Sequence, residues 1–146
     1  QHLKATKMKR REPVSRIMTK DVFTINVTTG LKEAEHEMKH RNIRHVPVVS
    51  GDELIGMLSL TDLMRISFGD VYGESQTDVD YAIYDMLSIK QVMVANPVSV
   101  STETTIKEAA EILAKNEFHA LPVTENGKLQ GIVTSTDLIN YLIDLY

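Results

Sequence analysis

The chain has 146 residues, 42% of them hydrophobic and 25% charged, a globular composition long enough for one compact core or two small ones. Sixteen basic against twenty acidic side chains leave a formal charge of −4, which argues against nucleic acid as a partner of the whole module. The lack of cysteine excludes a disulfide framework, a thiolate zinc site and a cysteine nucleophile. No apolar run approaches the roughly twenty residues that span a bilayer, so the expectation is a soluble, cytoplasmic protein with no membrane partner.

In chain order, residues 1–13 form a basic lead-in carrying Lys4, Lys7, Lys9, Arg10 and Arg11. No aromatic residues are interleaved with these charges, and the segment reads as a solvated tail or edge helix. Val22-Phe23-Thr24-Ile25 then reads as a short strand, and Asn26-Val27-Thr28 as a chance glycosylation sequon. A helix follows in which Gly30 is a tolerable N-cap and Leu31, Ala34 and Met38 form the apolar stripe. Val46-Pro47-Val48-Val49, a turn at Ser50-Gly51-Asp52 and an apolar strand from Leu54 make a hairpin, closed by a helix from near Ser59 that carries Leu63 and Ile66. Residues 69–80, rich in Gly, Ser, Thr and Asp, mark a linker, and Tyr81 to Ser88 suggests a short helix.

The same order then recurs. A 75-residue offset aligns Ile17 to Ile66 onto Val92 to Tyr141 without a gap, pairing Met18 with Met93, Lys32-Glu33-Ala34 with Lys107-Glu108-Ala109, and Thr61-Asp62-Leu63 with Thr136-Asp137-Leu138. Val98-Ser99-Val100 is the strand, and Thr105-Ile106-Lys107-Glu108 is a capping box opening a helix with Ile106, Ala109, Ala110 and Leu113 on one face. Leu121-Pro122-Val123, Glu125-Asn126-Gly127 and a strand from Leu129 form the hairpin, and a closing helix opens near Thr134. The fold class is α+β, with two small units at residues 14–68 and 81–146, each a three-stranded sheet covered by two helices.

Gly56-Met57-Leu58-Ser59-Leu60-Thr61-Asp62 and Gly131-Ile132-Val133-Thr134-Ser135-Thr136-Asp137 each follow a hydrophobic-Pro-Val strand. In this arrangement the chain, from about Val14 to Tyr141, resembles a tandem pair of cystathionine β-synthase (CBS) domains. The resemblance implies two units packed about a pseudo-twofold axis, with two clefts that commonly hold AMP, ADP or ATP, and association into a homodimer.

The residues also speak chemically. An ionised Asp accepts both hydrogen bonds of a ribose diol, and a Ser or Thr hydroxyl at a helix mouth lies beside backbone N–H groups suited to phosphate. Asp62 with Ser59, and Asp137 with Thr134, match those roles, but [ST]-x-x-D ahead of an apolar run is equally a helix capping box. The family pattern assigns these aspartates to ribose. Carried over residue by residue, it places Thr29, Ala34, Ile43 and Arg44 with Ile132, Thr134 and Asp137 in one cleft, and Thr104, Ala109, Phe118 and His119 with Met57, Ser59 and Asp62 in the other. Arg44 and His45 align with His119 and Ala120, so the cleft lined by Arg44 is expected to prefer more phosphate charge, unless Arg44 is a solvated strand residue.

One competing motif stands out. His36-Glu37-Met38-Lys39-His40 matches the H-E-x-x-H zinc signature on a predicted helix. Its repeat counterparts, Glu111 and Lys115, indicate a solvent-facing stripe, and no third ligand follows in sequence, so no metal is assigned. The expectation is a non-catalytic regulatory module with no obligatory cofactor, an adenine nucleotide as ligand and an effector protein as partner. Its alternatives are a regulatory segment of a larger transporter or enzyme, a metalloenzyme, and a dimerisation module without ligand.

Overall fold

The computed structural model describes residues 11–66, 85–116 and 119–146. The proposed linker, the start of the short helix expected before Ser88, most of the basic lead-in and Phe118 lie outside the described residues.

The first repeat starts its sheet with β1 (Ile25–Asn26), two residues parallel to β2 (His45–Ser50) through Ile25↔Val48 and Asn26↔Val49. The expected strand at residues 22–25 thus pairs only at its end. Immediately afterwards the Asn26 side chain captures the Thr28 N–H (3.0 Å) and hydroxyl (2.9 Å), which bends the chain away from the ladder. Helix α1 (Leu31–His40) follows, Gly30 standing at its N-cap with no side-chain bond. Leu31, Ala34 and Met38 are buried on its sheet side, as their spacing requires.

Strand β2 turns through Gly51, at φ +67°, into antiparallel β3 (Glu53–Ser59), and α2 (Leu60–Ile66) continues directly from it. A one-turn helix α3 (Ile89–Val92), opened by the Ser88 N–H donating to Gln91 Oε1 at 2.8 Å, leads into β4 (Val94–Ala95). Strand β4 pairs antiparallel with β3 at Met57 and Gly56.

The second repeat copies this plan. Strand β5 (Val100–Ser101) lies parallel to β6 (Ala120–Glu125), which forms a hairpin with β7 (Lys128–Thr134) through Asn126 and Gly127, both at positive φ as an Asn-Gly two-residue turn demands. Helix α4 (Ile106–Lys115) starts at the expected capping box, with the Thr105 N–H donating to Glu108 Oε1 (2.9 Å) and the Glu108 N–H to Thr105 Oγ1 (3.0 Å). The carboxylate takes the Thr105 N–H and also the Thr105 hydroxyl (Oγ1 to Oε1, 3.0 Å), and these two bonds hold the Glu108 carboxyl below its ordinary range. Helix α5 (Ser135–Asp144) closes the repeat.

The compact units do not follow the repeats end to end. One gathers residues 23–66 with 85–97, the other residues 11–22 with 98–146. Ile89 and Met93 are buried with Leu31, Met38, Val46 and Leu58 of the first repeat. In the matching way, Val14 is fully buried against Val100, Leu113, Leu121 and Val133 of the second. Each core is therefore completed by a strap that lies outside its own hairpin and helices.

The strap of the second-repeat unit is fixed by backbone. The Val14 N–H donates to Thr104 O (2.6 Å), the Ile106 N–H to Glu12 O (2.8 Å), the Thr19 N–H to Ile132 O (2.8 Å) and the Ile132 N–H to Thr19 O (2.9 Å). Two glycines make room for the straps: a Cβ on Gly131 would sit 2.7 Å from Thr19 O and 2.9 Å from Met18 Sδ, and one on Gly56 2.9 Å from Met93 Cγ.

Candidate functional site

In the first-repeat unit, the register of the β2–β3 hairpin sets Ser59 opposite His45 and Met57 opposite Pro47, and the Leu60 N–H closes that end by donating to Arg44 O at 2.8 Å. Ile43, Arg44, Met57, Ser59 and Asp62 thus share the hairpin end from which α2 departs. Arg44 is exposed, Ile43 and Ser59 half-buried. The Asp62 N–H donates to Ser59 Oγ at 3.0 Å, while the Asp62 carboxylate takes Arg65, Nη1 to Oδ1 at 3.4 Å.

Thr29 and Ala34 lie instead at the β1–α1 corner. There they line a surface groove of about 230 Å³ together with Phe23, Thr24, Ile25, Asn26, Glu33 and Glu37. The Arg41 guanidinium stands 3.9 Å over the Phe23 ring and donates to Glu37 Oε1 at 3.0 Å, so one cation ties together two of the residues that line the groove. Sequence reasoning missed Phe23, Glu33 and Glu37 as lining residues. The signal was present, because Glu33 and Glu37 are one turn apart beside Ala34, but charged residues on a helix read first as solvated.

In the second-repeat unit, β6–β7 sets Thr134 opposite Ala120 and Ile132 opposite Pro122, and the Ser135 N–H donates to His119 O at 3.0 Å. His119, Ile132, Thr134 and Asp137 occupy the equivalent hairpin end. Here the capping box is complete: the Asp137 N–H donates to Thr134 Oγ1 (3.0 Å) and the Thr134 N–H to Asp137 Oδ2 (2.9 Å). The box engages one carboxylate oxygen. Asp137 Oδ1 has no partner among the described residues, and a carboxylate offers about four lone-pair sites, so capping and diol recognition are compatible roles for this one side chain.

Thr104 and the buried Ala109 sit at the β5–α4 corner, where Thr104 Oγ1 accepts from the Ser101 N–H at 3.0 Å. The Thr104 hydroxyl also stands 3.3 Å from Ser101 Oγ, a contact in which either oxygen can donate. Phe118 lies outside the described residues.

His36 and His40 stack on the exposed face of α1, ring centroids 6.0 Å apart and nearly parallel, with Met38 buried on the opposite side. Among the described residues no group of three His, Cys, Asp or Glu side chains is gathered as a metal site. Glu37, which would be the general base of the zinc motif, is held by Arg41. No helix among the described residues is long and apolar enough to cross a membrane.

Comparison with known proteins places this geometry in a family. The family model described as the CBS domain matches twice, over residues 14–69 and 89–144. The chain is 32% identical over 133 residues to the inosine-5'-monophosphate dehydrogenase of Thermoplasma acidophilum, the match taking in 90% of this chain and 24% of that enzyme. The chain spans less than half the length of the curated relatives it matches first. Among solved structures it is similar to CBSX2 in complex with AMP (TM-score 0.77, 21% identity, covering 92% of this chain and 98% of that one). It is also similar to the CBS domain pair of protein MJ0100 in complex with 5-methylthioadenosine and S-adenosyl-L-methionine (TM-score 0.71, 20% identity, covering 92% and 98%). Two matched repeats, each with its hairpin, its capped closing helix and its strap, make this chain a member of the CBS-domain family, a tandem CBS pair.

Proposed function

We propose that this chain is a non-catalytic sensor that binds adenine nucleotides at two classes of site, one carrying Asp62 and the other Asp137. The observation that carries the reading is the duplicated hairpin end, where a hydroxyl residue and an aspartate three positions on stand together at Ser59/Asp62 and again at Thr134/Asp137. The two similar structures whose ligands are adenosine compounds support the ligand class. In this reading Asp137, with Thr134 and Ile132, takes the ribose and α-phosphate of one nucleotide, and Thr29, Ala34, Ile43 and Arg44 are proposed as nucleotide contacts as well. Asp62, Ser59 and Met57 serve a second nucleotide, and Thr104, Ala109, Phe118 and His119 are the remaining contacts proposed.

Ligand binding then biases a conformational or assembly equilibrium by its differential affinity for the two states, and a homodimer is the assembly proposed. A specific observation favours one wider context. A dehydrogenase of which this chain spans only a quarter carries the same pair, so the module is also proposed to serve as the regulatory segment of a larger enzyme or transporter acting on an effector domain.

A thermal-shift series with AMP, ADP and ATP tests the reading. At ligand a hundredfold above Kd the chain gains about 2.7 kcal/mol, a shift of several degrees in Tm. Asp137→Ala and Asp62→Ala each remove one class of site while the protein stays folded. A chain whose Tm no adenine nucleotide raises is a dimerisation module without ligand. If the two variants lower the Tm of the free chain and leave the nucleotide-induced shift unchanged, the aspartates are helix caps alone.

A further inference from the structure

We propose that Thr19, on the strap at the start of the first repeat, is a positioning residue for Asp137, and that the strap is thereby linked to whatever diol Asp137 holds. The inference rests on the nucleotide reading above for the identity of the ligand, but its geometry lies entirely within the second-repeat unit. Thr19 Oγ1 donates to Asp137 Oδ2 at 3.5 Å, the same oxygen that the Thr134 N–H engages. The bond is long and worth little by itself. What gives it weight is that the backbone leaves Thr19 no other place.

Thr19 and Ile132 exchange both of their backbone bonds, at 2.8 and 2.9 Å. Gly131, next along β7, supplies the space that Thr19 O and the Met18 side chain fill. Val14 anchors the other end of the strap in the core, and Tyr141 of α5 donates to Glu12 Oε1 at 3.3 Å. The strap therefore touches Thr104 through its carbonyl, Ile132 through its backbone and Asp137 through its carboxylate, three residues assigned to ligand contact. With Oδ2 held from two sides, Oδ1 is the oxygen left without a partner among the described residues.

The first-repeat unit lacks this device. By the 75-residue offset Thr19 corresponds to Val94, which pairs with Met57 as Thr19 pairs with Ile132. An isopropyl group offers no donor to Asp62. That carboxylate instead gives Oδ1 to Arg65, whose counterpart in the second repeat is the uncharged Asn140. The two aspartates are thus inequivalent in what orients them: the Asp137 site is set by the strap, the Asp62 site by a residue of its own helix. By reciprocity, a ligand that tightens at Asp137 tightens the strap, which gives residues 12–19 the position of an output lever.

Calorimetric titration with AMP of the full chain and of Thr19→Val, Thr19→Ser and Val94→Thr reads the effect. Thr19→Val weakens the class of site that Asp137→Ala removes by about 3- to 10-fold, the span of a modest hydrogen bond. Thr19→Ser restores it, and Val94→Thr leaves that class unchanged. Hydrogen exchange at the Thr19 and Ile132 amides slows on adding AMP. The proposal is overturned if Thr19→Val binds as the parent does, or if serine fails to rescue it. Should the parent chain bind no adenosine compound, the nucleotide reading falls, and positioning is judged by a ligand-free melting cycle of Thr19→Val with Asp137→Ala. Non-additive shifts in that cycle uphold the Thr19–Asp137 contact, and additive shifts refute it.

Discussion

Gly56 and Gly131 hold the same place in the two repeats and look interchangeable in sequence, yet their neighbours differ in kind. A methyl group at position 131 meets Thr19 O, a backbone atom locked in a two-way bridge to Ile132, whereas at position 56 its three nearest neighbours are all side-chain atoms of Met93. A thioether chain with three rotatable bonds can shift, and a bridged carbonyl cannot without breaking its hydrogen bond. Gly131→Ala is therefore expected to cost about 1–3 kcal/mol, the usual range for overpacking, and Gly56→Ala less, measured by urea unfolding at constant m. Equal losses would mean that the strap bridge yields as easily as a methionine. These glycines were legible as matched positions, but their reason was not, since the atoms that exclude a side chain come from residues more than thirty positions away.

The helices and hairpins were readable because their signals are local. The Thr105–Glu108 box, the Leu31-Ala34-Met38 stripe and the Asn126-Gly127 turn each fix an element within a few residues. The short elements were not readable in this way. Strands β1, β4 and β5 are two residues each, set by which partner strand is within reach, so Phe23 and Val98 look like strand residues and lie outside it. The Thr105 box also gives α4 a pH dependence. Because the folded-state pKa of Glu108 lies below its ordinary value of 4.5, its contribution is complete above that value and is lost as pH falls through the folded pKa. Parent and Glu108→Gln chains should differ in Tm by a constant amount above about pH 4.5, with the gap closing in stronger acid. The Glu125 carboxyl is likewise held low, by the Thr102 hydroxyl and N–H, so acid also loosens the tie between the β5–α4 loop and the end of β6. A gap that widens on acidification contradicts the box as the source of the shift.

For the whole molecule, the consequential feature is that order in the chain and membership of a core diverge. Repeat boundaries read from the sequence follow the 75-residue offset, and the family matches begin at residues 14 and 89. Those same two residues, Val14 and Ile89, are fully buried and both belong to straps. A periodic sequence reveals equivalent positions without saying which copy of the core each one enters, because Val14 and Ile89 carry the same apolar character in either arrangement. The described geometry gives Val14 to the unit of residues 98–146. Val14→Ala removes two methyl groups from that core and should cost about 1–3 kcal/mol. The loss should be regional: native-state hydrogen exchange accelerates first in α4, β6 and β7, far along the chain from the substitution, while α1 and the β2–β3 hairpin keep their protection. Ile89→Ala reverses the pattern, loosening α1, β2 and β3 ahead of the second repeat. If instead Val14→Ala frees the amides of residues 31–59, the strap serves its sequence neighbour, and the link between the strap and Asp137 has no structural path.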